Sequence, residues 1–246
     1  MEHLRGVVLA GGLGTRLMPL TKVTNKHLLP VGRTPMILHP IGKLTAAGVA
    51  DIMVITGPEH MGAIVNLLGS GREYGCRFTY RVQDESGGIA QALGLCEDFV
   101  GGRRCCVILG DNIFSAPLGP YVERFMRQER GALLLLKRVP DAARYGVAEL
   151  SGDDKTIVGI EEKPRQPKSN LAVTGIYFYD ARVFEVIRRL KPSGRNELEI
   201  TDVNSDYVRR GEAAWAELPG EWTDAGTFAS LRRANEILEG QAPQSG

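Results

Sequence analysis

Short apolar segments alternate with longer segments of mixed polarity through the first half of the chain. The apolar segments are nearly continuous, a pattern typical of strands that are covered on both faces of a sheet. We therefore predict strands at 6–10, 52–56, 105–109 and 132–136. Each longer segment ends one or two residues before a glycine, the usual position of a helix stop. These segments predict helices at 35–47, 59–68, 88–100 and 118–129.

The second half of the chain has a different pattern. Two strand-like segments, 147–150 and 156–161, flank the polar turn 151–154 and predict a hairpin. The repeated succession of strand, helix and strand predicts an α/β fold with a doubly wound, mostly parallel sheet. No repeat or linker divides the chain, so we expect one domain. The remaining predictions are a strand at 172–179, helices at 181–190 and 199–210, a strand at 213–218, a helix at 228–238 and a frayed tail at 241–246.

Composition narrows the class of protein. Of the 246 residues, 43% are hydrophobic and 24% are charged, which is enough apolar material for a buried core. No apolar run approaches the roughly 20 residues of a membrane span, so we expect neither a transmembrane segment nor a secretory leader. The four cysteines lack the spacing of a disulfide framework or a zinc site. We expect them to be reduced core residues of a cytoplasmic protein.

Charge is balanced over the whole chain but not along it. The formal net charge of +1 argues against a protein that coats nucleic acid. Residues 3–50 nevertheless contain six lysines and arginines and no aspartate or glutamate. A positive field of this kind favours a polyanionic small ligand.

A glycine-rich turn follows the first predicted strand. Gly11, Gly12 and Gly14 would let backbone N–H groups approach phosphate oxygens at the carboxyl end of that strand. A dinucleotide-binding loop would have a third glycine where this chain has Leu17, and an acidic residue after the second strand, which ends in Ile-Thr-Gly at 55–57. A Walker loop would have a lysine directly after the glycines. The pattern disfavours a dehydrogenase and an ordinary ATPase, and a purely structural turn stays open.

Nine motifs follow one another along nearly the whole chain. They are GGLGTRLMPLT at 11–21, KHLLPVGRTPMI at 26–37, QDESGGIAQA at 83–92, LGDN at 109–112, RYGV at 144–147, EEKP at 161–164, AVTGIYFYD at 172–180, ELEITDVN at 197–204 and WTDAGT at 222–227. In this order they closely resemble the sugar-1-phosphate nucleotidyltransferases, in particular the short form of the glucose-1-phosphate thymidylyltransferases. The resemblance implies a Rossmann-like sheet, with a smaller mixed sheet and a hairpin for the sugar. It divides the single domain 1–246 into a nucleotide-binding half at about 1–110, a sugar- and metal-binding half at about 111–227, and a C-terminal helix and tail at 228–246.

The resemblance also implies a reaction. The expected activity is Mg²⁺-dependent transfer of a thymidylyl group from dTTP to glucose 1-phosphate, which gives dTDP-glucose and pyrophosphate. A uridylyl-, cytidylyl- or guanylyltransferase for another hexose 1-phosphate would use the same phosphate chemistry. A protein of another class, a non-catalytic sensor of nucleotide sugars or a regulatory subunit, would keep the fold without turnover.

Cations should dominate this chemistry. The attacking sugar phosphate is already anionic at neutral pH, because the second pKa of a phosphate monoester is about 6, so no general base is needed. Catalysis then rests on positioning and on charge stabilisation. The resemblance assigns catalysis to Arg16, Lys26 and Lys163. It assigns nucleotide binding to Leu9, Gly11, Gly12, Gly14, Thr15, Arg16, Gln83 and Gly88.

Sugar and metal binding are assigned to the second half. Asp111 follows a strand, which would place a carboxylate at its carboxyl end, and Asp224 matches the second metal aspartate of the family. Mg²⁺ is usually held by one or two carboxylates together with substrate phosphates. Alternation along a strand would send Glu161 and Glu162 to opposite faces, and the motif alone selects Glu162. The sugar-binding residues implied by the resemblance are Asn112, Tyr145, Gly146, Glu162, Lys163 and Val173.

Two positions differ from the common family pattern. His27 stands where many thymidylyltransferases have glutamine, which bears on the base preference, and Arg33 stands where lysine is common. Longer members of the family continue past the final helix with a region that builds an effector site and part of an oligomer contact. We therefore expect weak or no feedback inhibition by dTDP-rhamnose. A homo-oligomer is compatible with the sequence.

Overall fold

Strands and helices alternate along residues 4–240, the part of the chain that this computed structural model describes. The strands are β1 (Arg5–Leu9), β2 (Pro30–Val31), β3 (Thr34–Pro35), β4 (Asp51–Thr56), β5 (Arg77–Val82), β6 (Cys105–Leu109), β7 (Asn112–Phe114), β8 (Ala132–Arg138), β9 (Gly146–Leu150), β10 (Ile157–Glu162), β11 (Leu171–Tyr179), β12 (Ala213–Glu217) and β13 (Trp222–Asp224). The α-helices are α1 (Leu38–Ala46), α2 (Met61–Leu68), α3 (Ile89–Gly94), α4 (Glu97–Val100), α5 (Gly119–Arg127), α6 (Val183–Ile187), α7 (Ile200–Arg209) and α8 (Phe228–Glu239). The predicted tail at 241–246 lies outside the described residues.

A nine-stranded sheet forms the centre of the molecule. Strands β5, β4, β1 and β6 lie side by side in that order and are parallel. Strand β6 then pairs antiparallel with β11, which also pairs with β8 and β9. The hairpin β9–β10 and the parallel pair β8–β12 complete the sheet. The predicted α/β fold with a mostly parallel sheet is confirmed, and the hairpin extends this same sheet.

Most predicted elements are present with ends shifted by a few residues, but some differ. The helix expected at 88–100 is two short helices, α3 and α4. Strand β5 is absent from the prediction, although its sequence alternates: Phe78, Tyr80 and Val82 are half-buried while the residues between them are exposed. This alternation is the ordinary signal of a strand at the edge of a sheet.

Two three-residue strands, β7 and β13, join distant parts of the chain. They pair antiparallel, with Asn112 opposite Asp224. Segments this short carry too few residues for any periodicity, so the sequence pattern predicts neither of them. Their pairing places Asp111 and Asp224 at one end of the sheet.

The two faces of the sheet carry separate apolar cores. Successive residues of β1 point to opposite faces: Val7 belongs to the core that contains Leu93 and Tyr177, and Val8 to the core that contains Leu44 and Phe178. The predicted burial of the cysteines is confirmed, since all four are free and buried. Within residues 4–240 no helix has both the length and the apolarity needed to cross a membrane.

A third, smaller core lies under helix α8. Leu17 packs there with Met36, Ala225 and Ile237, so the C-terminal helix supports the segment that follows the glycine-rich turn. The helix begins with a capping box, in which the Thr227 side chain accepts a hydrogen bond from the backbone N–H of Ser230 and the Ser230 hydroxyl accepts one from the Thr227 N–H.

Candidate active site

A cavity of about 410 Å³ opens at the carboxyl ends of β1 and β6. This is the edge at which open α/β sheets bind ligands. It gathers residues from both halves of the chain and contains every site residue predicted from the sequence except two. The predicted residues that line it are Leu9, Gly11, Gly12, Arg16, Lys26, Gln83, Gly88, Asp111, Asn112, Tyr145, Gly146, Glu162, Lys163, Val173 and Asp224.

Gly14 and Thr15 are the predicted residues outside the cavity lining. Gly14 adopts the left-handed conformation, with φ of 61°, and its carbonyl accepts a hydrogen bond of 2.9 Å from the Thr21 hydroxyl. A Cβ at Gly14 would lie 2.8 Å from Cγ2 of Thr21, so both its conformation and its surroundings require glycine. These contacts shape the turn before Arg16, and nucleotide contacts of Gly14 and Thr15 stay a prediction.

Gly11 allows a close approach between the ends of two strands. A Cβ at this position would lie 2.9 Å from Oε1 of Gln83, closer than ordinary van der Waals contact. Gln83 follows β5, and its backbone N–H donates to the Thr56 carbonyl at 2.9 Å, which fixes it beside β4. The glycine-rich turn and the Gln83 amide therefore line one wall of the cavity.

Lys26 and Asp111 form an ion pair at the floor of the cavity. Nζ of Lys26 lies 2.5 Å from Oδ2 of Asp111, and Oδ1 accepts a hydrogen bond of 3.1 Å from the Asn112 amide. Burial by itself raises the pKa of Asp111, but the charge of Lys26 and these hydrogen bonds prevail and lower it to about 2. The carboxylate is therefore ionised at neutral pH.

His27 is buried directly beside this ion pair. Burial, followed by the charge of Lys26, lowers the pKa of His27 to about 3, so the imidazole is neutral. Its Nδ1 lies 2.7 Å from Oδ1 of Asn25, which also accepts the His27 backbone N–H. Asn25 in turn donates to the Ala10 carbonyl at 3.3 Å, and these bonds fix the short 3₁₀ helix that carries Lys26 next to β1.

Asp224 lies next to Asp111 although the two are far apart in sequence. The Ala225 N–H donates to the Asp111 carbonyl at 2.8 Å, in addition to the β7–β13 pairing. Oδ1 of Asp224 accepts a hydrogen bond of 3.1 Å from the Tyr145 hydroxyl and lies 3.5 Å from the Arg144 guanidinium. Burial, followed by the negative charge of Asp111, raises the pKa of Asp224. The two carboxylates therefore repel each other.

The pair of aspartates matches the donor set of a magnesium ion. Mg²⁺ uses hard oxygen ligands and takes one or two carboxylates, with phosphates and water completing its shell. Among residues 4–240 no group of three or more histidine, cysteine, aspartate or glutamate side chains could enclose a metal. A cation between Asp111 and Asp224 would relieve their repulsion and would depend on substrate oxygens for its other ligands.

The opposite wall carries Glu162 and Lys163. Oε2 of Glu162 accepts a hydrogen bond of 2.6 Å from the Thr201 hydroxyl, and Oε1 lies 3.3 Å from Nζ of Lys163 and 3.5 Å from the Arg195 guanidinium. Glu161 instead lines a separate cavity on the outer face of the hairpin. Lys163 has a φ of 45°, in the left-handed region that residues other than glycine seldom adopt.

Asn112 and two aromatic residues, Tyr145 and Trp222, line another part of the cavity. Oδ1 of Asn112 accepts hydrogen bonds from Trp222 Nε1 at 2.8 Å and from the Gly175 N–H at 3.0 Å. Trp222 packs edge to face against Tyr145, with 5.2 Å between ring centroids. Because its amide oxygen holds two strands together, Asn112 has an evident structural role, and its sugar contact stays a prediction.

Two cations in the cavity were missed from the sequence. Arg144 and Arg195 both line it. Arg144 lies within the quoted RYGV motif, and Arg195 precedes the ELEITDVN motif, so their positions offered a signal. Surface arginines are common, however, and nothing in the local pattern separates these two from the others.

The cavity combines a glycine-rich turn, several cations and the aspartate pair at the carboxyl edge of an α/β sheet, an arrangement typical of proteins that bind phosphates. The Nucleotidyl transferase family model matches residues 5–241, and the chain belongs to this family. The resemblance drawn from the motifs is thereby confirmed, and the protein is a nucleotidyltransferase.

Several relatives and solved structures are similar to the chain over most of its length. The chain is 43% identical to a glucose-1-phosphate thymidylyltransferase of Xanthomonas campestris pv. campestris, over 97% of this chain and 82% of the relative. It is also 43% identical to one of Mycolicibacterium smegmatis, over 96% and 82%. A proposed glucose-1-phosphate thymidylyltransferase of Bacillus anthracis, crystallised with sucrose, is 60% identical, with a TM-score of 0.92 over 95% of this chain and 94% of that one. A UDP-glucose pyrophosphorylase bound to UDP-glucose shares the fold, with a TM-score of 0.86.

Proposed function

We propose that the protein transfers the thymidylyl group of dTTP to glucose 1-phosphate, forming dTDP-glucose and pyrophosphate. The observation that carries this proposal is the convergence of Arg16, Lys26, Asp111, Lys163 and Asp224 on one cavity. Relatives that bear the name of this activity match nearly the whole chain. A non-catalytic sensor would not need all five of these side chains in one place.

The reaction requires charge control rather than proton transfer. A phosphate oxygen of the sugar 1-phosphate attacks the α-phosphorus of the triphosphate, and the bond to pyrophosphate breaks. The attacking oxygen is already ionised at neutral pH. The barrier therefore lies in bringing two anions together and in stabilising the leaving group, which fixed cations accomplish.

The cations of the cavity fall into two groups. Arg16, on the turn after β1, would hold the triphosphate together with the backbone amides of the glycine-rich turn, since a guanidinium can contact two phosphate oxygens at once. Lys26 would stabilise the charge that develops at the α-phosphate. Lys163, on the opposite wall, would hold the phosphate of the sugar, with Arg195 beside it.

Asp111 and Asp224 would hold Mg²⁺. When bound there, the ion would neutralise phosphate charge and favour the departure of pyrophosphate. Lys26 keeps Asp111 ionised and hence able to ligate. Tyr145 and Arg144 orient the Asp224 carboxylate.

The organic parts of the substrates would contact the two walls. Glu162 can accept hydrogen bonds from adjacent hydroxyls of the sugar, and its Thr201 contact fixes its orientation. Gln83 and Gly88 would contact the base. The four buried thiols support a reducing compartment, the cytoplasm, as the site of the reaction.

A pyrophosphate-release assay tests this proposal. It should compare four nucleoside triphosphates with three sugar phosphates, with and without Mg²⁺, and identify the product. We expect the highest kcat/KM with dTTP and glucose 1-phosphate, and turnover only with the metal. Asp111→Asn should abolish turnover while the variant still binds dTDP-glucose. Undiminished turnover by this variant would contradict the metal role of Asp111.

A further inference from the structure

We propose that Gln91, which does not line the cavity, selects the base by holding the Gln83 amide in one of its two orientations. This inference rests on the proposed function and deepens it. An amide side chain presents either its oxygen or its nitrogen to a ligand, depending on a 180° flip. The orientation of Gln83 therefore decides which bases it can pair with.

Gln91 is itself oriented by the backbone. Its Oε1 lies 3.2 Å from the Gly87 N–H, which can only donate, so the oxygen of the Gln91 amide must face Gly87. The contact is close, because a Cβ at Gly87 would overlap the Gln91 amide. The Gly87 carbonyl in turn accepts a hydrogen bond of 2.8 Å from Leu198, which anchors this part of the backbone to the segment before α7.

Gln91 then orients Gln83. Nε2 of Gln83 lies 2.6 Å from Oε1 of Gln91 and 3.2 Å from the carbonyl of Gly88. Both of these partners can only accept, so the Gln83 atom that faces them must be its nitrogen. Its oxygen is then the atom beside Gly11 in the cavity wall.

This orientation makes Gln83 an acceptor toward the base. Thymine and uracil carry a ring N–H at N3 and can donate to Oε1. The N3 of cytosine is an acceptor, and opposite Oε1 it would place two lone pairs together. Without Gln91, Gln83 could flip and offer its nitrogen to cytosine. Among residues 4–240, the remaining side-chain hydrogen bond that would oppose this change is the one to the Gly88 carbonyl.

The matched variants are Gln91→Leu and Gln91→Glu. Leucine removes the acceptor, whereas a glutamate carboxylate still accepts from Gly87 and from Gln83. Steady-state kcat/KM should be measured with dTTP, dUTP and dCTP at saturating glucose 1-phosphate. We expect Gln91→Leu to lower the preference for dTTP over dCTP about tenfold or more, the scale of one mismatched hydrogen bond. Gln91→Glu should keep that preference.

Two controls separate the outcomes. The ratio of dTTP to dUTP should stay constant in both variants, because these bases share the same donor at N3. Thermal unfolding of each variant reports its stability, and Gln91→Met serves as a second apolar variant should leucine prevent folding. Equal losses with dTTP and dCTP in the apolar variant would show a merely structural role and overturn the inference. Absence of turnover with every nucleotide in the unsubstituted protein would instead refute the proposed function.

Discussion

Lys26 and Asp111 show how one residue pair links stability to chemistry. The ion pair is largely shielded from solvent, and its lysine lies on a 3₁₀ turn fixed by Asn25. A buried carboxylate without its partner costs about 3–5 kcal/mol. In the proposed reaction the same lysine faces the α-phosphate, so its removal should impair both folding and turnover.

Substitution of Lys26 tests this double role. We expect Lys26→Met to lower kcat by about 10²–10³-fold, as loss of one charge-stabilising donor does in other enzymes. The free energy of unfolding in the absence of nucleotide should also fall. Lys22→Met, in the same segment but outside the cavity lining, is the matched control and should change neither quantity. Normal turnover by Lys26→Met would contradict the assignment.

Substitution of Gly11 tests the proposed contact between Gln83 and the base. Gly11→Ala would place a Cβ 2.9 Å from Oε1 of Gln83 and displace that amide. We expect KM for dTTP to rise about tenfold, the cost of one lost hydrogen bond. Gly57→Ala is the control, since its Cβ would meet open space at an ordinary φ of −72°. An unchanged KM for dTTP in Gly11→Ala would show that Gln83 does not contact the base.

The buried imidazole of His27 predicts a pH dependence of stability. Its pKa in the folded protein is about 3, below the value of 6.5 for an exposed histidine, so protonation favours the unfolded chain. This contribution is complete above pH 6.5 and is lost as the pH falls toward 3, at about 1.4 kcal/mol per pH unit. The free energy of unfolding should be measured with denaturant at several pH values between about 4 and 7. Its increase with pH should be smaller for His27→Gln than for the unsubstituted protein or for His60→Gln. Equal increases would mean that His27 is not buried in its neutral form.

At the scale of elements, the fold positions the site through strand ends and through the support of one helix. The carboxyl ends of β1 and β6 bring the glycine-rich turn and Asp111 together, and the β7–β13 pair adds Asp224. Helix α8 packs on Leu17, directly after Arg16. Loosening α8 should therefore affect the side of the cavity proposed for the triphosphate before the side proposed for the sugar.

The capping box of α8 allows this to be measured. Thr227→Ala removes the side chain that caps the helix and should cost about 1 kcal/mol of unfolding free energy. We expect KM to rise more for dTTP than for glucose 1-phosphate. Thr45→Ala in α1, whose hydroxyl donates to the Gly42 carbonyl on an exposed helix face, is the control and should cost less than about 0.5 kcal/mol. Equal effects on the two substrates would argue against a specific support of Arg16.

Some elements can be predicted from the local sequence pattern, and others depend on contacts between distant segments. Buried strands such as β1 and β6 have continuous apolar runs, and their helices end at glycines, so both were predictable. Strand β5 lies at an edge with one exposed face, and its alternating pattern is a weaker signal than the continuous apolar runs from which the buried strands are predicted. Strands β7 and β13 owe their existence to a pairing between segments far apart in the chain, which no local pattern encodes.

Site residues can be predicted from the sequence where they lie in a motif that resembles the family. Asp111 and Asp224 were assigned by resemblance, and only the folded chain places them side by side. The burial of His27, the inward position of Arg195 and the link between Gln91 and Gln83 depend on tertiary contacts. Residues of these types are more often on the surface, so the sequence alone could not single them out.

In the whole molecule, residues 3–50, which contain no aspartate or glutamate, meet two distant aspartates at one cavity, where we propose that they surround the same phosphate oxygens. The mostly parallel sheet brings the first segment to the cavity, and the β7–β13 pair brings the aspartates. The proposed activity depends on this placement of the cations and the two aspartates around one cavity. The proposed activity requires the carboxylates of Asp111 and Asp224 to bind one Mg²⁺ ion when the nucleotide is present.

Anomalous diffraction from crystals grown with dTDP-glucose and Mn²⁺, a substitute for Mg²⁺ that accepts the same oxygen ligands, measures this directly. We expect one strong anomalous peak within ligand distance of both Asp111 and Asp224 and of a phosphate oxygen, and its loss in Asp224→Asn crystals. A peak bound by only one of the two aspartates, or one remote from the phosphates, would contradict a shared metal site.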